Sequence, residues 1–152
     1  MIFFYFDASA WVKRYYREPG SDAVQTLFGR PAPRACAILG VVEVVSTLAR
    51  KLKAGEIPAD RFATLRREIE RDWRHFLKIE LTELDSVRAI DAAARTALRG
   101  ADAVHFAALE LLALQLAGSE HMVTLVASDH ELNGAAKGAG INVFDPETDP
   151  LP

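Results

Sequence analysis

The stretch Ile2-Phe3-Phe4-Tyr5-Phe6-Asp7-Ala8-Ser9 decides the fold. Five apolar residues end in a carboxylate, and a helix-like pattern follows at once. A strand buried on both faces of a parallel sheet reads as such a continuous apolar run, not as an alternation. The same grammar returns near the other end, where Met122-Val123-Thr124-Leu125-Val126-Ala127 runs into Ser128-Asp129. Two strands of this kind would each deliver an Asp to the carboxyl edge of one sheet, where open α/β sheets bind their ligands.

The segments between these two stretches alternate in type. Ala10 to Tyr16 continues the first helix, and Pro19-Gly20 punctuates it. Ser21 is placed to cap a helix carrying Val24, Leu27 and Phe28 on one side. Arg34 to Leu39 reads as a short strand. The spacing of Val41, Val45, Leu48 and Leu52 predicts a helix over 40–54, closed by Lys51, Lys53 and Gly55. Pro58-Ala59-Asp60 opens an Arg- and Glu-rich helix to about Phe76, with a solvent-facing side at Arg66, Arg67, Arg71 and Arg74. These two helices form a hairpin. Leu77 to Leu81 alternates, as a half-exposed edge strand does. Thr82-Glu83-Leu84-Asp85 has the form of a capped helix start. The next helix, from Asp102 to Gly118, is apolar almost all round and is expected to be the most buried. A helix over 129–137 and a strand over 141–144 complete the order. Strands alternating with helices predict an α/β fold with a parallel sheet and right-handed crossovers. The domain is expected over 1–146, with a polar, proline-containing tail over 147–152.

The bulk numbers suit a single globular domain: 152 residues, 50% hydrophobic and 26% charged. A net charge of −3 predicts no bulk attraction to nucleic acid, although acids gathered at a site would mask basic patches elsewhere. Cys36 is the single cysteine, so no internal disulfide forms, as in a reducing compartment. Its apolar neighbours mark it as an inert thiol. The longest apolar stretch, Ala103 to Ala117, is interrupted by His105, Glu110 and Gln115 and falls short of the ~20 residues that span a bilayer. The first strand starts at residue 2, leaving no room for a secretory leader. The expectation is a cytoplasmic protein without a membrane segment.

Four carboxylates stand at element junctions: Asp7, Glu43, Asp102 and Asp129. In a parallel sheet the strand-to-helix junctions share one edge, so Asp7, Glu43 and Asp129 are expected to converge. Asp102 follows a helix-to-helix join, and its arrival there is inferred from the chain path. Singly, each acid fits a helix cap or a first-turn residue. Together they would repel one another unless a cation neutralised them. Hard oxygen ligands suit Mg²⁺ or Mn²⁺, ions that promote attack on phosphodiesters. No His or Cys cluster offers a zinc site.

With these residues assembled, the chain resembles the PIN domain, specifically the VapC-like ribonuclease toxins of toxin–antitoxin pairs. The resemblance is carried by Phe6-Asp7-Ala8-Ser9-Ala10-Trp11-Val12-Lys13, by Val42-Glu43-Val44-Val45-Ser46-Thr47-Leu48-Ala49-Arg50 and by Leu98-Arg99-Gly100-Ala101-Asp102-Ala103-Val104-His105. Leu125-Val126-Ala127-Ser128-Asp129-His130-Glu131-Leu132 and a closing Gly140-Ile141-Asn142-Val143-Phe144-Asp145-Pro146 follow in order. It implies a PIN-like, Rossmann-like three-layer fold with a five-stranded parallel sheet of order 3-2-1-4-5. It also implies that Asp7, Glu43, Asp102 and Asp129 hold one or two Mg²⁺ or Mn²⁺ ions in an RNA-hydrolysing catalytic site. Ser9 matches the family's hydroxyl and fits either a ligand of the ion or a helix cap. The implied partners are an RNA substrate, a VapB-like antitoxin and a second copy in a homodimer. Three positions depart from the pattern: Ala8 replaces a frequent Thr or Ser, and Ala37 and Gly40 stand where polar residues are common.

Further residues fit the same reading. Lys13, Arg14, Arg17 and Arg99 are candidates for RNA phosphates, with a solvated face as the alternative. His105, on the Asp102 side of its helix, reads as a packed or hydrogen-bonded histidine in preference to a general base. Trp11, Tyr15 and Tyr16 read as packing residues in preference to base-stacking ones. The alternative function is a catalytically silent PIN fold that grips RNA or a protein. A haloacid-dehalogenase-type phosphatase would need an Asp where Ser9 stands, and a receiver domain an Asp after the third strand, where Thr82-Glu83 follows.

Overall fold

A computed structural model describes all of residues 1–152. The strands are β1 (Ile2–Phe6), β2 (Arg34–Ala37), β3 (Phe76–Ile79), β4 (Met122–Val126) and β5 (Asn142–Phe144). They form one parallel sheet of order β3-β2-β1-β4-β5. The helices are α1 (Ala8–Trp11), α2 (Ser21–Gly29), α3 (Ile38–Lys53), α4 (Ala59–Trp73), α5 (Ser86–Thr96), α6 (Gly100–Leu116) and α7 (His130–Gly138). A 3₁₀ turn over Val12–Arg14 extends α1. No helix is long and apolar enough to cross a membrane.

The apolar run of β1 is explained by burial on both sides. Phe4 and Phe6 join one core with Trp11, Leu27, Val44, Leu48, Leu65 and Phe76. Tyr5 joins the other with Phe106, Leu109, Leu112, Leu125 and Leu132. Helices α1–α4 therefore cover one face of the sheet and α5–α7 the other, giving three layers. On the first face the indole of Trp11 stacks on Phe76 with ring centroids 4.3 Å apart. On the second, α6 buries residues around most of its circumference, as expected of a helix without a polar face.

Several boundaries differ from the sequence reading by a residue or two, and four of the differences bear on the packing. Ser21 opens α2 from inside instead of capping it. Gly20, at φ 85° in the left-handed region, is the cap, and Ser21 Oγ accepts from Glu18 N at 3.0 Å. A Cβ on Gly20 would lie 2.9 Å from the Pro146 backbone, so a side chain is excluded there. Strand β3 begins one residue earlier, at Phe76, because that ring belongs to the core. Helix α5 starts at Ser86: Asp85 turns its carboxylate back onto Thr82 N and Oγ1 at 3.0 and 2.7 Å, holding residues 82–85 as a turn. Helix α3 starts at Ile38, and its most buried ridge is Gly40, Val44 and Leu48, with Val41, Val45 and Leu52 half-buried beside it.

That ridge makes Gly40 a spacer. A Cβ there would collide with Cys36 Sγ and stand 3.2 Å from His105 Cε1. Its missing side chain lets β2, α3 and α6 meet at one point. Gly40→Ala is expected to lower stability by up to about 2 kcal/mol, since overpacking toward the upper end of ~1–3 kcal/mol outweighs the ~1 kcal/mol gained in helix propensity. Cys36→Ala in the same chain should recover part of the loss. Urea unfolding of the single and double variants measures both, and a Gly40→Ala protein as stable as wild type would contradict the close approach.

Candidate functional site

Strand β1 delivers Asp7 and strand β4 delivers Asp129 to the same sheet edge. Phe6 and Val126 are register partners, and Asp7 N donates to Val126 O at 3.0 Å. Each Asp caps the helix that follows. Asp7 Oδ2 accepts from Ser9 N at 2.9 Å, and Asp129 Oδ1 accepts from Leu132 N at 2.8 Å. Capping thus occupies one oxygen of each carboxylate and leaves the other to the crevice. Glu43 enters from the second turn of α3 and Asp102 from the first turn of α6. All four acids line one cavity of about 550 Å³, together with Ser9, Lys13, Arg50 and Ser128. The structure therefore brings the expected set together, including Asp102, whose place no strand junction dictated.

The two loops at this edge are clipped to each other. Ser128 N donates to Ser9 Oγ at 3.0 Å, and Ser128 Oγ donates to Asp145 Oδ1 at 3.2 Å. Ser9 is consequently not the helix cap, a role taken by Asp7; its hydroxyl joins the β1 loop to the β4 loop. Asp145, buried just after β5, anchors that joint and also accepts from Glu147 N at 3.0 Å. Asp145 stands in the closing motif Gly140–Pro146, which assigns it no part. An acid directly after a strand of the same parallel sheet was the available signal.

His105 is 1% exposed and sits beneath the acids. Its Nε2 lies 2.7 Å from Glu43 Oε2 and 3.8 Å from Asp7 Oδ1, and its Nδ1 lies 3.1 Å from the buried Tyr5 hydroxyl. Burial works against the charged ring, yet the Glu43 hydrogen bond and the charges of Asp7, Glu43 and Asp102 together raise its pKa above the usual value. His105 is therefore a hydrogen-bonded core histidine, as its sequence context predicted, and it fixes the Glu43 carboxylate. One donor atom each from Asp7, Glu43 and His105 fall within 4.8 Å of one another. Nε2 is already engaged by Glu43, and hard divalent ions prefer oxygen, so the carboxylates are the fitting ligands and His105 supports them.

Electrostatics separate Asp102 from its neighbours. Burial first, then the charges of Asp129, Asp7 and Glu43, raise its carboxyl above the usual range. It accepts no hydrogen bond from the protein, and only the charge of His105 works against that repulsion. Lys13 is the buried counter-charge at the rim. Its Nζ sits 3.0 Å from Glu18 and 2.6 Å from Glu147, which hold its pKa up against the opposing effect of burial. Of the other residues weighed as RNA contacts, Arg14 bonds Gln25 and lies 3.6 Å from Asp72, and Arg17 grips Asp22 through both terminal nitrogens. Trp11 and Tyr15 are buried in the core, and Tyr16 lies under Lys51 at 3.8 Å.

No model of a known protein family matches the chain. Two curated relatives do: ribonuclease VapC45 and ribonuclease VapC49, from the CDC 1551 and H37Rv strains of Mycobacterium tuberculosis. Each is 32% identical over 146 residues, covering 96% of this chain and 97% of the relative. Among solved structures, a toxin–antitoxin complex from Klebsiella pneumoniae superposes with a TM-score of 0.64 at 14% identity, over 93% of this chain and 96% of that one. FitAcB from Neisseria gonorrhoeae gives 0.62 at 15% identity, over 96% and 98% of the two chains. FitAB bound to an IR36 DNA fragment gives 0.65 at 14%, over 99% and 98%. The structural neighbours share the PIN-like fold, and the two relatives match almost end to end: this chain belongs to the VapC ribonuclease family.

Proposed function

We propose that this protein is a divalent-metal-dependent endoribonuclease and the toxin half of a type II toxin–antitoxin pair. The observation that carries the reading is the convergence of Asp7, Glu43, Asp102 and Asp129 on one crevice. Carboxylates so gathered call for a cation, and an all-oxygen donor set fits Mg²⁺ or Mn²⁺. Bound there, such an ion supplies an activated water and stabilises the leaving oxygen of a phosphodiester. The chain's own residues hold and orient. Asp7 is fixed by Ser9 N, Glu43 by His105, and Asp129 by Leu132 N. Asp102 accepts no hydrogen bond from the protein, which leaves its carboxylate to the crevice. The alternative, a silent PIN fold, would not need four acids in one crevice.

The partners proposed are RNA, an antitoxin and a second copy of the chain, in the cytoplasm. Two rows of apolar side chains left in solvent support the protein partners: Ile38 and Val42 on α3, and Val87 and Ile90 on α5, with Leu84 exposed in the turn before it. Residues three or four apart share a helix face, so each row is a continuous stripe. The α5 stripe is assigned to the homodimer. Light scattering should give a dimer for wild type and a monomer for Ile90→Asp, and an unchanged mass would remove α5 from the interface.

Cleavage of single-stranded RNA is expected with Mg²⁺ or Mn²⁺, to be abolished by EDTA, and to fall at least ~100-fold in Asp7→Asn. Metal-independent cleavage, or full activity of that variant, would sink the mechanism. A pH effect follows from Asp102. Its folded-state pKa is raised, so without metal its contribution to stability is present below 3.8 and is lost as pH rises through the folded value. A cation relieves that loss. The rise in melting temperature on adding Mg²⁺ should therefore be larger at pH 8 than near pH 4, and Asp102→Asn should flatten the difference. An equal rise at both pH values would contradict it.

A further inference from the structure

Among the cations lining the acidic cavity, two are already neutralised. Lys13 is held by Glu18 and Glu147, and Lys51 by Glu56 at 3.0 Å. Arg50 differs. Its guanidinium bonds only neutral hydroxyls, Ser46 Oγ and Thr47 Oγ1, both at 2.9 Å. The hydroxyls orient the group without cancelling its charge, and the side chain is exposed. A second cavity, of about 330 Å³, adjoins the first: the two share Asp102, Ser128 and Asp129 as lining. Its lining arginine is Arg99, exposed at the N-terminal boundary of α6 and without an ion pair. The acids thus lie between two arginines that form no ion pair within the protein.

We infer that Arg50 and Arg99 bind backbone phosphates on opposite sides of the acidic centre, so that single-stranded RNA runs from Arg50 across Asp102 and Asp129 to Arg99. The inference rests on the nuclease reading above and specifies how that site takes its substrate. An acidic crevice repels a polyanion, so cations flanking the reacting phosphate must hold the strand against that repulsion. Arginine suits the task because its planar fork matches a phosphate and it stays charged. The first cavity is lined almost wholly by polar residues, and no aromatic ring is among them. Bases therefore find no stacking platform there, and the strand is gripped by its phosphates. The basic residues nearest Asp7 in sequence are spent on internal pairs, which leaves Arg50 and Arg99 for the RNA.

The test is binding of a fluorescein-labelled single-stranded RNA by anisotropy, over a range of KCl concentrations in Mg²⁺. The full-length Asp7→Asn protein is the uncleaving parent. Arg50→Gln and Arg99→Gln should each weaken binding several-fold and reduce the slope of log affinity against log salt by about 0.7, one phosphate contact on a single strand. Arg50→Lys, which keeps the charge, should keep the parent slope. Arg66→Gln, which removes an ion pair with Glu70 on α4, should leave slope and affinity unchanged. Parent slopes in both glutamine variants, in a protein whose wild type cuts RNA, would overturn the phosphate path while leaving the nuclease reading intact. A wild type that cuts no RNA would overturn the reading on which the path rests.

Discussion

Mutual repulsion among carboxylates at one sheet edge is the constraint on which the rest of this structure depends. Asp7 is almost fully buried, and Asp102, Asp129 and Glu43 stand in the same crevice. A fold that gathers like charges loses stability unless something offsets them. Here the offsets are local and directional. Helix N-termini bond one oxygen each of Asp7 and Asp129. His105 reaches Glu43 from the core. Asp102 receives no such hydrogen bond, and burial together with the charges of Asp129, Asp7 and Glu43 raises its pKa.

The scaffold serves that arrangement at several removes. Gly40 has no side chain because β2, α3 and α6 meet there, and that meeting carries His105 to Glu43. Ser9, Ser128 and Asp145 link the ends of β1, β4 and β5 into one edge. Gly20 admits the Pro146 backbone, which brings Glu147 onto Lys13. Residue 147, set apart as the start of a tail when read from sequence, thus contributes a wall of the crevice. Each contact is small, about 1 kcal/mol for an ordinary hydrogen bond. Their common effect is to fix where the acids stand.

Much of this was legible in the chain because burial on both faces leaves a strong trace. The runs of β1 and β4 are apolar without alternation, and parallel strands impose one edge on the residues that follow them. Asp7 and Asp129 could therefore be paired from sequence. Helix α6 announced itself by lacking a polar face. What resisted reading was set by contacts distant in the chain. Periodicity placed Val41, Val45, Leu48 and Leu52 inward on α3; Leu48 is fully buried and the other three pack half-buried, while the close approach of α6 puts Gly40 and Val44 beside Leu48 in the core. Ser21 looks like a cap by type but is drawn back to Glu18 N. Lys13, Arg14 and Arg17 look like an RNA-binding cluster until their partners at 147, 72 and 22 are seen. Charge alone does not tell a free cation from a paired one.

The central claim is that the four acids form a divalent-cation site. Anomalous X-ray diffraction from crystals soaked in Mn²⁺ tests it most directly. The account predicts an anomalous peak inside the crevice lined by Asp7, Glu43, Asp102 and Asp129, and its loss in Asp7→Asn. Manganese bound only elsewhere on the protein, or a peak that persists in that variant, would contradict it.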